Sequence, residues 1–149
     1  MPTVYATEDV RDLWSDLWPL VKEHYQRVAH YEDIPLNPSV EQYNALQEVG
    51  MLRCYTARED GELIGYAVFF VRPHIHYAGS LMAAQDVLFH KRGALGLRGL
   101  VRYADQQLRS EGVQVVSHHI KAAHDFGAIL ERQGYELMDL IYVKRLDKE

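Results

Sequence analysis

Residues 85–112 read QDVLFHKRGALGLRGLVRYADQQLRSEG, and the rest of the chain is arranged around them. Asp86, Val87, Leu88 and Phe89 form the end of an apolar strand. A short basic, glycine-bearing loop follows through His90, Lys91, Arg92, Gly93, Ala94, Leu95 and Gly96. Leu97, Leu100, Val101, Ala104 and Leu108 then recur at the spacing of one helix face, and Gly112 stands just past its end. A strand that feeds a glycine loop into a helix start makes an anion site. The first N–H groups of the helix lack internal partners, the helix dipole is positive there, and glycine permits close approach. Lys91 and Arg92 add full charges, so the turn suits a phosphate-bearing ligand.

The totals set the bounds. With 149 residues, the chain is expected to form one domain over 1–149 with a sizeable core. It is 48% hydrophobic and 25% charged, the balance of an ordinary soluble globular protein. A net charge of −5 argues against a nucleic-acid binder, whose footprint would be basic. Cys54 is the single cysteine, which excludes an internal disulfide framework, and no zinc-ligand spacing occurs. Glu8, Asp9 and Asp12 stand where a signal peptide would be basic and then apolar, and residues 64–71 are too short a run to span a bilayer. A cytoplasmic protein with no membrane attachment is expected.

Taken in order, residues 3–7 read as a short edge strand, and Thr7 can cap a helix whose first turn holds Glu8 and Asp9. Leu13, Leu17, Leu20, Val21 and His24 keep helical spacing, and Pro19 either kinks or divides that helix. Residues 30–36 read as loop. Asn37 before Pro38 marks a helix start with proline in its first position, closed by Gly50. The period then changes to two. Residues 52–58 form a strand, 59–62 a hairpin turn, and 63–72 a more apolar strand ended by Pro73. A His- and aromatic-rich connection over 74–79 leads to a strand over 81–89. After the central helix come a strand over 113–120 and a short helix with Phe126, Ile129 and Leu130, opened by His124 and Asp125 and closed by Gly134. Two closing strands, or one bent strand, occupy 135–138 and 140–146. The fold class is α+β, a mixed, mostly antiparallel sheet with helices on both faces and a parallel connection across 87–120.

This order of elements, with these residues at the turn, resembles the GNAT superfamily of acetyl-CoA-dependent N-acetyltransferases, over residues 3–146. That family's pyrophosphate loop runs Gln/Arg-x-x-Gly-x-Gly/Ala; the matching register is Lys91 to Gly96. Lys91 replaces the usual Gln or Arg, and Ala94 stands where glycine is usual, with Gly93 one position earlier. The short helix ending at Gly134 before Tyr135, and the hairpin through Gly61 with Gly65 behind it, are two further matches. The resemblance implies a GNAT-like three-layer fold and transfer of an acetyl group from acetyl-CoA to a primary amine, on a small molecule or a peptide, by direct attack in a ternary complex. It implies that the main chain of Val87, Leu88 and Phe89 pairs with the pantetheine arm, and that Lys91, Arg92, Gly93, Ala94, Leu95, Gly96 and Leu97 hold the pyrophosphate. No metal is required, and relatives often form homodimers. The alternative is a catalytically weak or inactive module of the same fold that binds acyl-CoA or a protein.

Amine acetylation needs a neutral amine, a held carbonyl and a proton for the leaving thiolate. Many relatives take that proton from a tyrosine four residues before the last helix's terminal glycine; here that residue is Leu130. Tyr135 and Tyr142 are the nearby hydroxyls. Asp86, His118 and His119 are the candidate bases. Asp86 interrupts an apolar strand, where a carboxylate is costly to bury, and is either a base or a residue at a strand bulge paired with Arg or backbone. His118 and His119 point to opposite faces of one strand, so at most one faces a cleft. Trp14, Trp18, Tyr25, His74, His76 and Tyr77 come from segments that border the acceptor in relatives; core packing is the competing reading for Trp14, Trp18 and Tyr25.

Overall fold

The computed structural model describes residues 2–28, 31 and 33–148. Within the loop expected over 30–36, residues 30 and 32 lie outside the described set. Five strands form one sheet in the order β1-β2-β3-β4-β5: Val4–Glu8, Leu52–Glu59, Glu62–His74, Tyr77–His90 and Val115–Ser117. The first four are antiparallel neighbours, and β4 pairs with β5 in parallel, as the connection through the central helix requires. The α-helices are α1 (Trp14–Val28), α2 (Val40–Glu48), α3 (Ala94–Ser110) and α4 (Gly127–Arg132).

Side-chain alternation assigns the layers. Tyr55, Ala57, Ala67, Phe69 and Val71 face α3 and α4, whose Leu100, Ala104, Leu108 and Leu130 complete one core. Leu52, Cys54, Tyr66 and Val68 face the other way, onto Leu13, Leu17 and Leu20. Leu100 and Leu108 are fully buried, each worth about 1.5–3 kcal/mol of transfer free energy. Gly99 sets how closely α3 approaches β1: a Cβ there would fall 1.9 Å from the Tyr5 hydroxyl. Asp60 and Gly61, at φ 49° and 80°, make the two-residue β2–β3 hairpin turn.

Several boundaries differ from the sequence reading. Thr7 and Glu8 belong to β1, and Asp9 caps a single 3-10 turn, Val10–Asp12, ahead of α1. α1 runs through Pro19, which sits on its exposed side where water can serve the carbonyl left without a donor. α2 starts at Val40, not Pro38, because the Ser39 hydroxyl accepts the Gln42 N–H at 3.2 Å. Pro73 does not end β3. It lies near the strand's end, opposite Leu81, and only Ile75 and His76 separate β3 from β4. β5 is three residues long, shorter than expected. No strand forms over 135–146: Leu137, Met138, Leu140, Ile141 and Tyr142 are exposed, and Arg145 anchors this arm on Asp33 at 2.9 Å. Alternating apolar residues make a strand only where a free edge receives them.

Candidate active site

The site begins at an irregularity in β4. Opposite β3 the register runs Val68 to Val87 and then Phe69 to Gln85, so Asp86 is the extra residue of a β-bulge. The bulge turns Asp86 to the same side as Val87, where it receives a short hydrogen bond from the Tyr43 hydroxyl of α2. Burial pushes the Asp86 carboxyl above its ordinary range, an effect the Tyr43 hydrogen bond partly offsets. The same burial, together with the carboxylate beside it, pushes the Tyr43 hydroxyl up. Of the two roles open to Asp86 in the sequence, a base or a bulge residue paired with Arg or backbone, the bulge is present but the partner is a tyrosine. The tyrosine partner, 43 positions away, carries no local signal.

Beside this pair lies a cleft of about 470 Å³, walled by Leu17 and Val21 of α1, Pro35 and Leu36 of the α1–α2 connection, and Tyr66 and Val68 of the sheet. Trp14, Tyr25 and Tyr43 also line it, and Lys121 is the lysine at its wall. Trp14 donates its indole N–H to Asn44 at 3.0 Å, and the Tyr25 hydroxyl donates to the Ile34 carbonyl at 2.9 Å, pinning the connection over the cleft. His24 meets the Tyr66 hydroxyl at 3.1 Å and stacks on Phe89 at 5.0 Å. Burial lowers its pKa to about 4, so it is neutral at pH 7. Trp18 is exposed and borders a smaller neighbouring hollow. His74, His76 and Tyr77 gather at the β3–β4 hairpin, with the His74 and Tyr77 rings 5.0 Å apart, and none of them lines the cleft.

On the other edge of β4, pairing with β5 covers only Met82, Ala83 and Ala84. Beyond them the parallel seam opens, leaving the outer edge of Asp86, Val87, Leu88 and Phe89 without a strand partner among the described residues. The Gln85 side chain bridges the start of the opening, its Oε1 2.8 Å from His118 Nδ1 and its amide 3.4 Å from the His119 carbonyl. The His118 ring packs edge-on against Tyr135 at 5.0 Å and Phe69 at 5.4 Å, on the α3–α4 side. Burial lowers its pKa to about 4, and its Nε2 is sealed without a partner among the described residues. His119 is exposed. The Tyr135 hydroxyl donates to Asp105 at 2.5 Å, and burial with that contact pushes it well up. His118 and Tyr135 thus come together, whereas Asp86 lies on the opposite face. The four candidates do not form one cluster.

The basic turn differs most from expectation. Of the main-chain donors between Lys91 and Leu97, five are engaged inside the protein. Lys91 donates to the Ile64 carbonyl, Arg92 to His90 Nδ1 at 3.0 Å, Gly93 to the His90 carbonyl, and Gly96 and Leu97 to the Gly93 carbonyl. Ala94 and Leu95, at the start of α3, are the two left to face a ligand. Both cations are also paired. Arg92 forks onto Glu59 at 2.5 Å, and Lys91 meets Glu62 at 3.1 Å, both glutamates coming from the β2–β3 hairpin. Arg92 holds the Glu59 carboxyl down at about 2. Buried His90 fills the space beneath the turn, where a Cβ on Gly96 would fall 1.9 Å from its Nδ1. Packing against His90 is by itself enough to require glycine at position 96. Gly93, at φ 63°, opens the helix in its place.

Cys54 is buried with its thiol pushed up to about 12, which rules it out as a nucleophile near neutral pH. Among the described residues no group of three or more His, Cys, Asp or Glu is placed to hold a metal, and no helix is long and apolar enough to cross a membrane.

No protein-family model and no curated protein sequence matches the chain. Solved structures do. A ribosomal-protein-alanine N-acetyltransferase from Brucella melitensis biovar Abortus 2308 superposes with a TM-score of 0.75 at 19% identity, covering 98% of this chain and 99% of that one. A predicted acetyltransferase with acetyl-CoA from Clostridium acetobutylicum gives 0.69 at 12% identity, with 97% of each chain covered. An aminoglycoside acetyltransferase from an uncultured soil metagenomic sample, in complex with sisomicin, gives 0.67 at 12% identity, over 97% of this chain and 96% of that one. From β1 to the end of α4, the chain has the fold of the GNAT-type acetyltransferases.

Proposed function

We propose that the protein transfers an acetyl group from acetyl-CoA to a primary amine by direct attack in a ternary complex. The observation that carries this reading is the opened β4–β5 seam. A strand edge bare at Asp86 to Phe89 leads directly into the start of α3, and on the other face of the sheet lies an apolar cleft. Val87, next to the bulge, belongs to both: its main chain lies on the bare edge, and the residue lines the cleft. The residues fit the co-substrate in a reduced form. Val87, Leu88 and Phe89 offer main-chain groups to an extended amide arm, as an added strand would use them. Ala94 and Leu95 offer two N–H groups at a helix start, and Arg92 and Lys91 add charge if they exchange Glu59 and Glu62 for a diphosphate.

Asp86 is the base in this scheme. A carboxyl raised by burial accepts a proton from the attacking amine more readily than an exposed one. The amine nitrogen forms the new C–N bond as the C–S bond breaks, and its proton passes to Asp86. The leaving thiolate is protonated from solvent at the open seam, because Leu130 has no proton to give and the Tyr135 hydroxyl is committed to Asp105. His118 and His119 take no part.

The test is thiol release from acetyl-CoA against a panel of amines. Saturable release that needs both substrates and falls at least tenfold in Asp86→Asn supports the reading. Tight binding of acetyl-CoA with no release across the panel would instead leave a binding module, a reading favoured by Leu130 standing where many relatives keep a tyrosine.

A further inference from the structure

The cleft also says what kind of amine it admits. We infer that the acceptor is a small primary amine carried on an apolar body, of the arylalkylamine or alkylamine class, and not an amino sugar or a polyamine. The inference rests on the acetyl-transfer reading for its chemistry, but on the cleft alone for its ligand.

Three observations carry it. First, most of the polar side chains of the wall are already committed within the protein, Asn37 and Lys121 apart. The Trp14 indole is on Asn44, the Tyr25 hydroxyl on Ile34, the Tyr43 hydroxyl on Asp86, and His24 and Tyr66 on each other. A sugar entering this space would lose its water and find few partners, at a cost that grows with every hydroxyl. An apolar body of roughly ten to fifteen non-hydrogen atoms fits a cavity at the small end of the ligand-site range without that cost. Second, one carboxylate stands directly behind the wall. Asp86 is not itself a lining residue, but its Oδ2 accepts from the Tyr43 hydroxyl, whose ring lines the cleft, and its Oδ1 accepts no hydrogen bond among the described residues. One carboxylate beside the Tyr43 ring suits one ammonium group. Third, Lys121 lines the cleft and repels a polycation or a second ammonium while tolerating a neutral tail. The sisomicin-bound relative handles a ligand of opposite character, so the shared fold does not set this preference.

The experiment is calorimetric titration of the protein, without acetyl-CoA, using 2-phenylethylamine, its neutral counterpart 2-phenylethanol, glucosamine and spermidine. 2-Phenylethylamine is expected to bind best, at least tenfold more tightly than glucosamine or spermidine. Asp86→Asn should weaken it at least tenfold while leaving 2-phenylethanol binding within twofold, which also shows that the variant keeps its cleft. Val21→Arg, which fills the cleft, should abolish binding of both aromatic compounds. Equal or tighter binding of glucosamine or spermidine would overturn the inference, as would 2-phenylethylamine binding that ignores both substitutions. The two readings fail separately. Cleft binding without acetyl transfer removes the transferase and keeps the ligand class. Acetylation of glucosamine or a peptide, with 2-phenylethylamine neither bound nor acetylated, does the reverse.

Discussion

Against one face of the sheet lies α3, which buries Leu97, Leu100, Val101, Ala104 and Leu108; against the other lie α1 and α2, and α2 buries none of its residues. The first face is filled by apolar side chains to close contact. The second has a bulge, a tyrosine–carboxylate pair and a cleft of about 470 Å³. Both are built on the same strands, whose alternate residues serve one face and then the other. The difference shows where stability is held and where the chemistry is placed: a site needs room and an unneutralised group, and close packing supplies neither.

The largest expected effect breaks the comparison on its packed side. Leu100→Ala should cost about 2–5 kcal/mol in denaturant unfolding, whereas Leu46→Ala on half-buried α2 should cost about 1 kcal/mol or less. Equal losses would mean that the cleft face is packed as tightly as the other. Next comes the site itself. Asp86→Asn should lower the acetylation rate about 10²- to 10⁴-fold, the range for a lost general base, while the melting temperature stays level or rises. The sign follows from the raised carboxyl: its cost to the fold sets in as pH rises above the unfolded value and is complete above the folded one, so removing its charge helps near neutral pH. A variant that loses activity only because it unfolds would contradict this.

Acid should act on both faces. His24 and His118 are held near 4 in the fold by burial and return to about 6.5 when the chain unfolds. Their contribution is complete above about 6.5 and is lost as pH falls towards 4, because the unfolded state takes up protons first. Melting temperature measured from pH 7 to pH 4 should fall through that window, and less steeply in His118→Gln. The smallest effect concerns the turn. Glu59→Gln releases Arg92 from its fork and should tighten acetyl-CoA binding by about three- to tenfold at low salt, less at high salt. Unchanged affinity would place Arg92 outside the cofactor site.

What could be read from the sequence follows the same division. The helical spacing from Leu97 to Leu108 and the turn residues Asp60 and Gly61 are local signals, and both elements form where they were expected. The α+β class with a mixed sheet follows from their order. Asp86 was identifiable because a carboxylate inside an apolar strand is a local anomaly. Its partner Tyr43 was not, since their meeting depends on a bulge and on how α2 docks. The basic turn misled for a related reason. Lys91 and Arg92 read as free charges, but the hairpin carries Glu59 and Glu62 alongside them, and pairing across strands has no fixed sequence spacing. The expected strands over 135–146 failed because apolar alternation states a preference without supplying a partner edge.

Acetyl-CoA bound in the opened seam would perturb the amides that line it, and amide NMR during titration with acetyl-CoA reports on that directly. The predicted result is saturable shifts centred on Asp86 to Phe89 and on Ala94 and Leu95, with the amides of β1 and β2 unmoved. Shifts confined to the hairpin at His74 to Tyr77, or no shifts at millimolar acetyl-CoA, would contradict it.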